Sequence, residues 1–366
     1  MLSQQQVPGA VENILRDFVA ATAPSLDEIS PVVAEAGAAL AEFVLTGGKR
    51  LRPLFVHAGW QCAATGPEAA ATEALALRVG GAIELIQACA LVHDDILDRS
   101  DTRRGRPTVH RRFSALHRDQ RWSGDSAHHG ASVAILLGDL ALAWADDLVH
   151  GLAPTAPNTE DETAPTPLPP AAGTLWARMR TEVLGGQLLD ITNEASADET
   201  VDAAYRVMKY KTAAYTVARP LQIGAALGGG SAALSASLWR IGSDLGLAFQ
   251  LRDDLLGVFG DPEQTGKPSG DDLVTGKRTV LVAQALADSD ATTADTLRGL
   301  LGRPLSADEL VTARSILIDS GALASVEGQI DAHLQTALGE IDALATSDRA
   351  REDLTALAHR IAHRQK

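Results

Sequence analysis

A chain of 366 residues with 45% hydrophobic and 22% charged residues holds enough apolar material for a large core, and 4% aromatics make that core aliphatic. A formal net charge of −15 excludes nucleic-acid binding by bulk charge, which needs basic surface. Two cysteines, Cys62 and Cys89, make neither a disulfide framework nor a zinc pattern, which fits a reducing, cytoplasmic setting.

The N-terminal run MLSQQQVPGAVENILRDF lacks the basic start and apolar run of a signal peptide. Helical periodicity then dominates, and Ala/Leu/Glu/Arg stretches outnumber β-branched runs, which predicts an all-α fold. The first predicted helix runs from Ser25 to Leu45, with Val33, Ala36, Leu40 and Val44 on its apolar face, and stops at Gly47-Gly48. A second follows Pro53, a long third runs from about Glu68 to Asp98, and a short fourth covers Thr108 to Arg118. Ala131 to His150 is strongly apolar. No uninterrupted apolar stretch reaches the ~20 residues of a membrane-spanning helix, and the longest candidate, Ala131 to Ala145, is broken by Asp139, so no span is expected.

Gly151 to Gly173 is rich in Pro, Thr and Ala and reads as a flexible surface loop. The helical pattern resumes unchanged at Leu175, so residues 1–366 read as one domain. Helices continue through Gln187, over Tyr205 to Ala226 and Ala233 to Phe259, and from Arg278 onward.

Two acidic clusters carry the chemistry. In Asp94-Asp95-Ile96-Leu97-Asp98, Asp94 and Asp98 share one helix face with Asp95 beside them. Like charges at that spacing repel unless a cation sits among them. Hard carboxylate oxygens suit Mg²⁺, which takes one or two carboxylates and fills its shell with phosphate oxygens and water. Asp253-Asp254 repeats the arrangement near the end of another apolar helix.

Cations lie beside both clusters: Lys49, Arg50 and Arg52 after Gly47-Gly48, then Arg103-Arg104, Lys209 and Lys211, Lys267, and Lys277. Arginine grips phosphate through two parallel hydrogen bonds. Acid alternating with base suits two diphosphates held by metal ions and cations, and reconciles an anionic protein with anionic substrates.

In chain order, GGKRLRP, DDILD followed by RRGRPT, GQLLD, KTAAY, FQLRDDLLGVFGD, TGKPSGDDL and GKRT resemble the motifs of the trans-isoprenyl diphosphate synthases, or polyprenyl synthetases, from Gly47 to Lys277. The resemblance implies a single helical bundle around a deep central cavity, working as a homodimer. It implies 1′-4 condensation of isopentenyl diphosphate with an allylic diphosphate, with three Mg²⁺ ions, or Mn²⁺ in their place.

By the same resemblance, Asp94 and Asp98 would bind Mg²⁺ beside the allylic diphosphate, supported by Asp95. Asp253 would hold a further ion with Asp254 nearby. Arg103, Lys211 and Lys267 would contact the allylic diphosphate. Lys49, Arg52, Arg104 and Gln87 would hold the diphosphate of isopentenyl diphosphate, with Lys277 a further substrate-binding cation. Thr212 and Gln250 would face the reacting carbons. One position departs from the pattern: Gly257 stands where the second motif commonly ends in a third aspartate.

Product length depends on the wall before the first motif. One helical turn shifts a side chain ~5.4 Å, close to one isoprene unit. Cys89 and Ala90 are small, and Ile86 lies a turn deeper. Short-chain members often carry an aromatic four or five places before the motif. Its absence points to geranylgeranyl diphosphate, C20, with farnesyl diphosphate or a product of C25 or more as alternatives. A class I terpene cyclase has no need of GGKRLRP and Gln87, and a non-catalytic partner subunit has no need to keep nearly every acid and cation.

Overall fold

Ser30 and Pro31 break the first predicted helix. In place of one helix from Ser25 to Leu45 there are two, α1 (Val7–Ile29) and α2 (Pro31–Leu45). Ser30 is extended, and its side chain accepts from the backbone N–H groups of Val32 and Val33, donors that lack an intrahelical partner. Pro31 has no such donor to leave unpaired. The Ser-Pro pair is a start signal that periodicity alone overlooks.

The computed structural model describes residues 1–66, 69–152, 166–261 and 270–362. Its contacts divide the chain into two compact units: Met1–Trp60 with Ala64–Pro170, and Gln61–Ala63 with Ala171–Lys366. Apart from one two-stranded hairpin, the described residues form helices, turns and loops.

The first unit continues with α3 (Leu51–Ala63) as far as Trp60, α4 (Ala69–Leu97), the hairpin β1 (Thr102–Arg103) and β2 (Arg106–Pro107), α5 (Val109–Asp119) and α6 (Ser126–His150). Thr102 pairs with Pro107 and Arg103 with Arg106. At the centre lies α4, packed by α1, α2, α5 and α6 and burying Val79, Ile83, Leu85, Ile86 and Val92. This helix is long and apolar enough to cross a membrane, which sequence reading assigned to no segment. However, 72% of its most apolar window is buried inside the protein, as in a core helix. Asp125 starts α6 by accepting from the backbone N–H groups of Ala127 and His128.

The second unit comprises α7 (Pro170–Ser196), α8 (Val201–Val207), a π-helical segment (Met208–Ala218), α9 (Arg219–Leu227), α10 (Ala232–Phe259), α11 (Asp271–Thr275), α12 (Val280–Asp288), α13 (Ala291–Leu300), α14 (Ala307–Asp319), α15 (Ala322–Asp342) and α16 (Asp348–Ala362). Pro170 already opens α7, so the loop expected to reach Gly173 stops short of it; residues 153–165 of that expectation lie outside the described residues. The predicted helix from Tyr205 to Ala226 is present but π-wound in its middle.

In this unit α10 is the core helix, set against the π segment, α9 and α15. Leu251, Leu255, Val258, Leu281, Leu297 and Ile330 belong to one buried apolar cluster. Arg314 of α14 donates to the Val258 carbonyl at 3.0 and 2.6 Å, closing the last turn of α10. Arg219, 3% exposed, makes two hydrogen bonds to Glu182 at 2.7 and 2.6 Å and stacks 3.9 Å from the Trp239 ring centre.

Candidate active site

On the first unit the site begins with a backbone turn. Gly47 and Gly48 have φ of 77° and 95°, a region that penalises residues with a Cβ. Arg50, which precedes α3, is also left-handed, with φ of 49°. Its guanidinium lies 2.7 Å from the Glu84 carboxylate and donates to the Val44 carbonyl at 2.7 Å; the Arg50 and Glu84 side chains are 8% and 6% exposed. A strained turn persists where its surroundings impose it. Here it leaves Lys49 exposed and Arg52 half-buried on either side.

Arg104, at the hairpin tip with φ of 54°, lays its guanidinium along Gly47 and Gly48 and donates to the Thr46 carbonyl at 2.6 Å. Burial, then the charges of Arg103, Arg50 and Arg52, hold its pKa below the ordinary arginine value. Guanidinium groups that repel one another favour an anion among them.

The partly exposed stripe of α4 carries Gln87, Ala90, Leu91 and Asp94 at three- and four-residue spacing and continues to Asp98 in the turn just past the helix, while Asp95 is 0% exposed. Arg103 of β1 holds Asp95, with Nε and a terminal nitrogen 2.8 and 2.7 Å from Oδ1, and reaches Asp94 at 3.6 Å. The other oxygen of Asp95, Oδ2, is buried without a hydrogen-bond partner among the described residues. Burial raises the Asp95 carboxyl above the usual carboxylate range, the hydrogen bond and charge of Arg103 oppose this, and the charges of Asp94 and Asp98 add to the rise. Crowded hard oxygens short of positive charge fit a Mg²⁺ ion.

Of the three chain-length candidates, Ala90 shares the stripe with Asp94. Ile86 and Cys89 are each 3% exposed. The Cys89 sulfur lies 3.8 Å from His93 Nδ1, and His93 Nε2 lies 3.1 Å from the Ile135 carbonyl of α6. Burial pushes the Cys89 thiol up to about 11, and does the same to Cys62.

On the second unit, Lys211 and Thr212 occupy the π segment and are partly exposed. Lys211 Nζ lies 2.6 Å from the Asp190 carboxylate of α7. The two helices approach closely because Gly186 rests on the Lys211 backbone, where a Cβ would overlap it. Sequence reading gave Asp190 no role. Its signal was the GQLLD motif, in which the glycine and the acid stand four apart on one face.

On α10, Gln250, Asp253, Asp254 and Gly257 share one sector. Asp253 is partly exposed, whereas Asp254 is 6% exposed and accepts from Gln250 Nε2 at 2.7 Å. Gln250 thus engages Asp254, and Asp253 is the accessible acid of the pair. Burial, then the charge of Asp272, push the Asp254 carboxyl well above the carboxylate range; the Gln250 hydrogen bond and the Lys277 charge oppose this. Asp272 had no place in the sequence reading beyond the TGKPSGDDL motif that contains it. Lys267 lies outside the described residues. Among those described, no three Asp, Glu, His or Cys side chains stand close enough to enclose a metal ion alone. An ion here would complete its shell from a ligand or water, the usual habit of Mg²⁺.

Comparison with known proteins accords with this chemistry. The polyprenyl synthetase family profile matches residues 34–317. The chain superposes on a geranylgeranyl pyrophosphate synthase from Corynebacterium glutamicum, solved with isoprenyl diphosphate and magnesium, with a TM-score of 0.90, 41% identity and 100% of both chains covered. A geranylfarnesyl diphosphate synthase from Aeropyrum pernix is 31% identical over 89% of this chain and 90% of its own. A geranylgeranyl diphosphate synthase from Mycobacterium tuberculosis is 34% identical over 78% of this chain and 73% of its own.

Proposed function

This chain belongs to the polyprenyl synthetase family and is a trans-prenyl diphosphate synthase, and we propose that it extends an allylic diphosphate with isopentenyl diphosphate to geranylgeranyl diphosphate, C20. The observation that carries the reading lies within the first unit. The Arg104 guanidinium lies along the Gly47-Gly48 turn that Lys49 and Arg52 flank, and the adjacent Arg103 clasps the acids of the first motif. Cations for one diphosphate next to hard oxygens for a metal-bound second one are what joining two anionic substrates requires.

Asp94 and Asp98 would hold Mg²⁺ and Asp253 a further ion; three ions are proposed in all, with Mn²⁺ able to substitute. Bound Mg²⁺ supplies positive charge to the departing diphosphate. Arg103 and Lys211 steady the allylic diphosphate, while Lys49, Arg52, Arg104 and Gln87 hold the diphosphate of isopentenyl diphosphate. The allylic C–O bond breaks, the isopentenyl double bond attacks the resulting cation, and a proton passes to the released diphosphate. Ala90 and Leu91 offer the cation an apolar wall in place of water, which would quench it.

The small Ala90 before Asp94 supports C20, and the geranylfarnesyl relative makes C25 the runner-up. We further propose that residues 1–366 work as one functional domain, since each unit carries only part of the motif set, and that the enzyme is a cytoplasmic homodimer. The exposed Ile135 and Leu136 of α6 are apolar surface that a second copy would cover.

The test is a product assay. Purified protein is incubated with Mg²⁺, isopentenyl diphosphate and, separately, dimethylallyl, geranyl and farnesyl diphosphate, and products are identified by mass. A C20 product abolished by EDTA supports the proposal. A longer product keeps the reaction and removes Ala90 as the stop. No condensation with any primer sinks the reading in favour of a non-catalytic partner subunit.

A further inference from the structure

The π winding gives its segment two different sides. In an i→i+5 helix, positions four and five apart fall on one side. Lys209, Ala213 and Ala214 therefore share a side, while Lys211, two along, faces the other way toward Asp190. The side of Lys211 belongs to the site described above. The side of Lys209 borders a separate cavity of about 310 Å³, formed within the second unit by the π segment, α10 and α15. That volume falls in the range of small-molecule sites.

The floor of the cavity is apolar. Ala213 and Ala214 are each 1% exposed, and their small side chains leave room that Leu247 and Trp239 of α10 border. The Arg219 guanidinium, 3.9 Å from the Trp239 ring centre, holds that ring in place. Charge lies around this floor, and most of it is already matched. Arg240 Nε lies 3.0 Å from both carboxylate oxygens of Glu340, and His333 Nδ1 lies 2.8 Å from Asp244 Oδ1. Lys209 differs. It is exposed, its ammonium is 5.3 Å from the Tyr210 ring centre, and no carboxylate among the described residues pairs with it. The cavity thus offers one uncompensated positive charge beside an apolar floor.

We propose that this cavity is a second binding site, which takes a small amphipathic anion. A single acidic head group, carboxylate or sulfonate, pairs with Lys209, and a flat or aliphatic body lies on Ala213, Ala214 and Leu247. A diphosphate does not suit it, because several negative charges would meet one free cation and the acids Asp244 and Glu340. None of the cations assigned to the two diphosphates lines the cavity, and neither does an aspartate of either motif.

The test is titration calorimetry on the full chain with naphthalene-2-sulfonate, and with naphthalene-2-methanol as its uncharged counterpart. Inorganic diphosphate and Mg²⁺ are present at saturation, so that the substrate site is filled. Wild type should bind the sulfonate about tenfold more tightly than the alcohol, the margin of one charge-assisted contact. Lys209→Met should remove that margin and leave the affinity for the alcohol within about twofold. Ser243, on α10, also lines the cavity, so Ser243→Phe should fill it and abolish binding of both probes, with thermal denaturation showing that the variant is folded.

A sulfonate that binds Lys209→Met as tightly as wild type overturns the proposal. So does one that binds only when diphosphate is left out, because it would then occupy the substrate site, and so does wild type that binds neither probe. No turnover is involved, so the outcome is separate from whether the chain condenses isoprenoid units.

Discussion

Arg50 and Glu84 form an ion pair of 2.7 Å with both side chains almost wholly buried, and Arg50 is the left-handed residue that leads into α3. Breaking one side of such a pair leaves a charge without compensation, which costs about 3–5 kcal/mol. Glu84→Gln is therefore expected to lose that much stability in denaturant unfolding. It should also raise KM for isopentenyl diphosphate, because Lys49 and Arg52 flank the turn. Arg50→Gln/Glu84→Gln should unfold at higher denaturant than Glu84→Gln alone; equal midpoints would mean that an uncompensated Arg50 charge is not what destabilises the single variant.

Ala90 and Cys89 are neighbours in sequence but differ in exposure. Ala90→Phe is expected to shorten the main product by at least one isoprene unit, read by mass of the extracted prenyl alcohols. Cys89→Phe enlarges a packed interior and should lose about 1–3 kcal/mol of stability. A shortened product from Cys89→Phe, with full stability, would place the wall at Cys89 instead.

Gly186 lets α7 reach the Lys211 backbone, whereas a Cβ at the adjacent Gly185 would meet nothing within 4 Å. Gly186→Val should separate Lys211 from Asp190 and lower kcat/KM for the allylic substrate about 10²-fold, since small displacements of binding groups are that damaging. Gly185→Ala should change it less than about twofold. Similar values for the two variants would remove the contact from the mechanism.

Burial raises the Glu182 carboxyl, but the hydrogen bonds and charges of Arg219 and Arg178 more than offset this and hold it below the usual range. A carboxyl with a lower pKa folded than unfolded adds stability above its unfolded pKa, ~4.3, and loses it as the pH falls through the folded value. Glu182→Gln should thus be less stable than wild type near pH 7, with the gap closing below about pH 4. Urea unfolding at several pH values would show it; a gap that stays constant rejects the assignment.

The all-α class, the long α4 and the acidic ends of α4 and α10 are legible in sequence, because apolar periodicity and spacing of like charges act over a few residues. What escaped it acts across elements or in the backbone. Ser30 changes the chain without changing the period. The π winding around Lys211 has no composition of its own. The burial of Asp254 and its neighbour Asp272 depends on how α10 and α11 dock. The Arg50–Glu84 pair joins residues 34 positions apart in sequence, which no local pattern connects.

Both native thiols are covered and held near 11, so at neutral pH neither is a ready nucleophile. The folded wild-type protein is therefore expected to react slowly with maleimides and disulfide reagents. A single cysteine introduced at an exposed place would then carry a fluorophore or spin label with little background, and a substrate-dependent change in its surroundings could be followed in an otherwise unmodified enzyme.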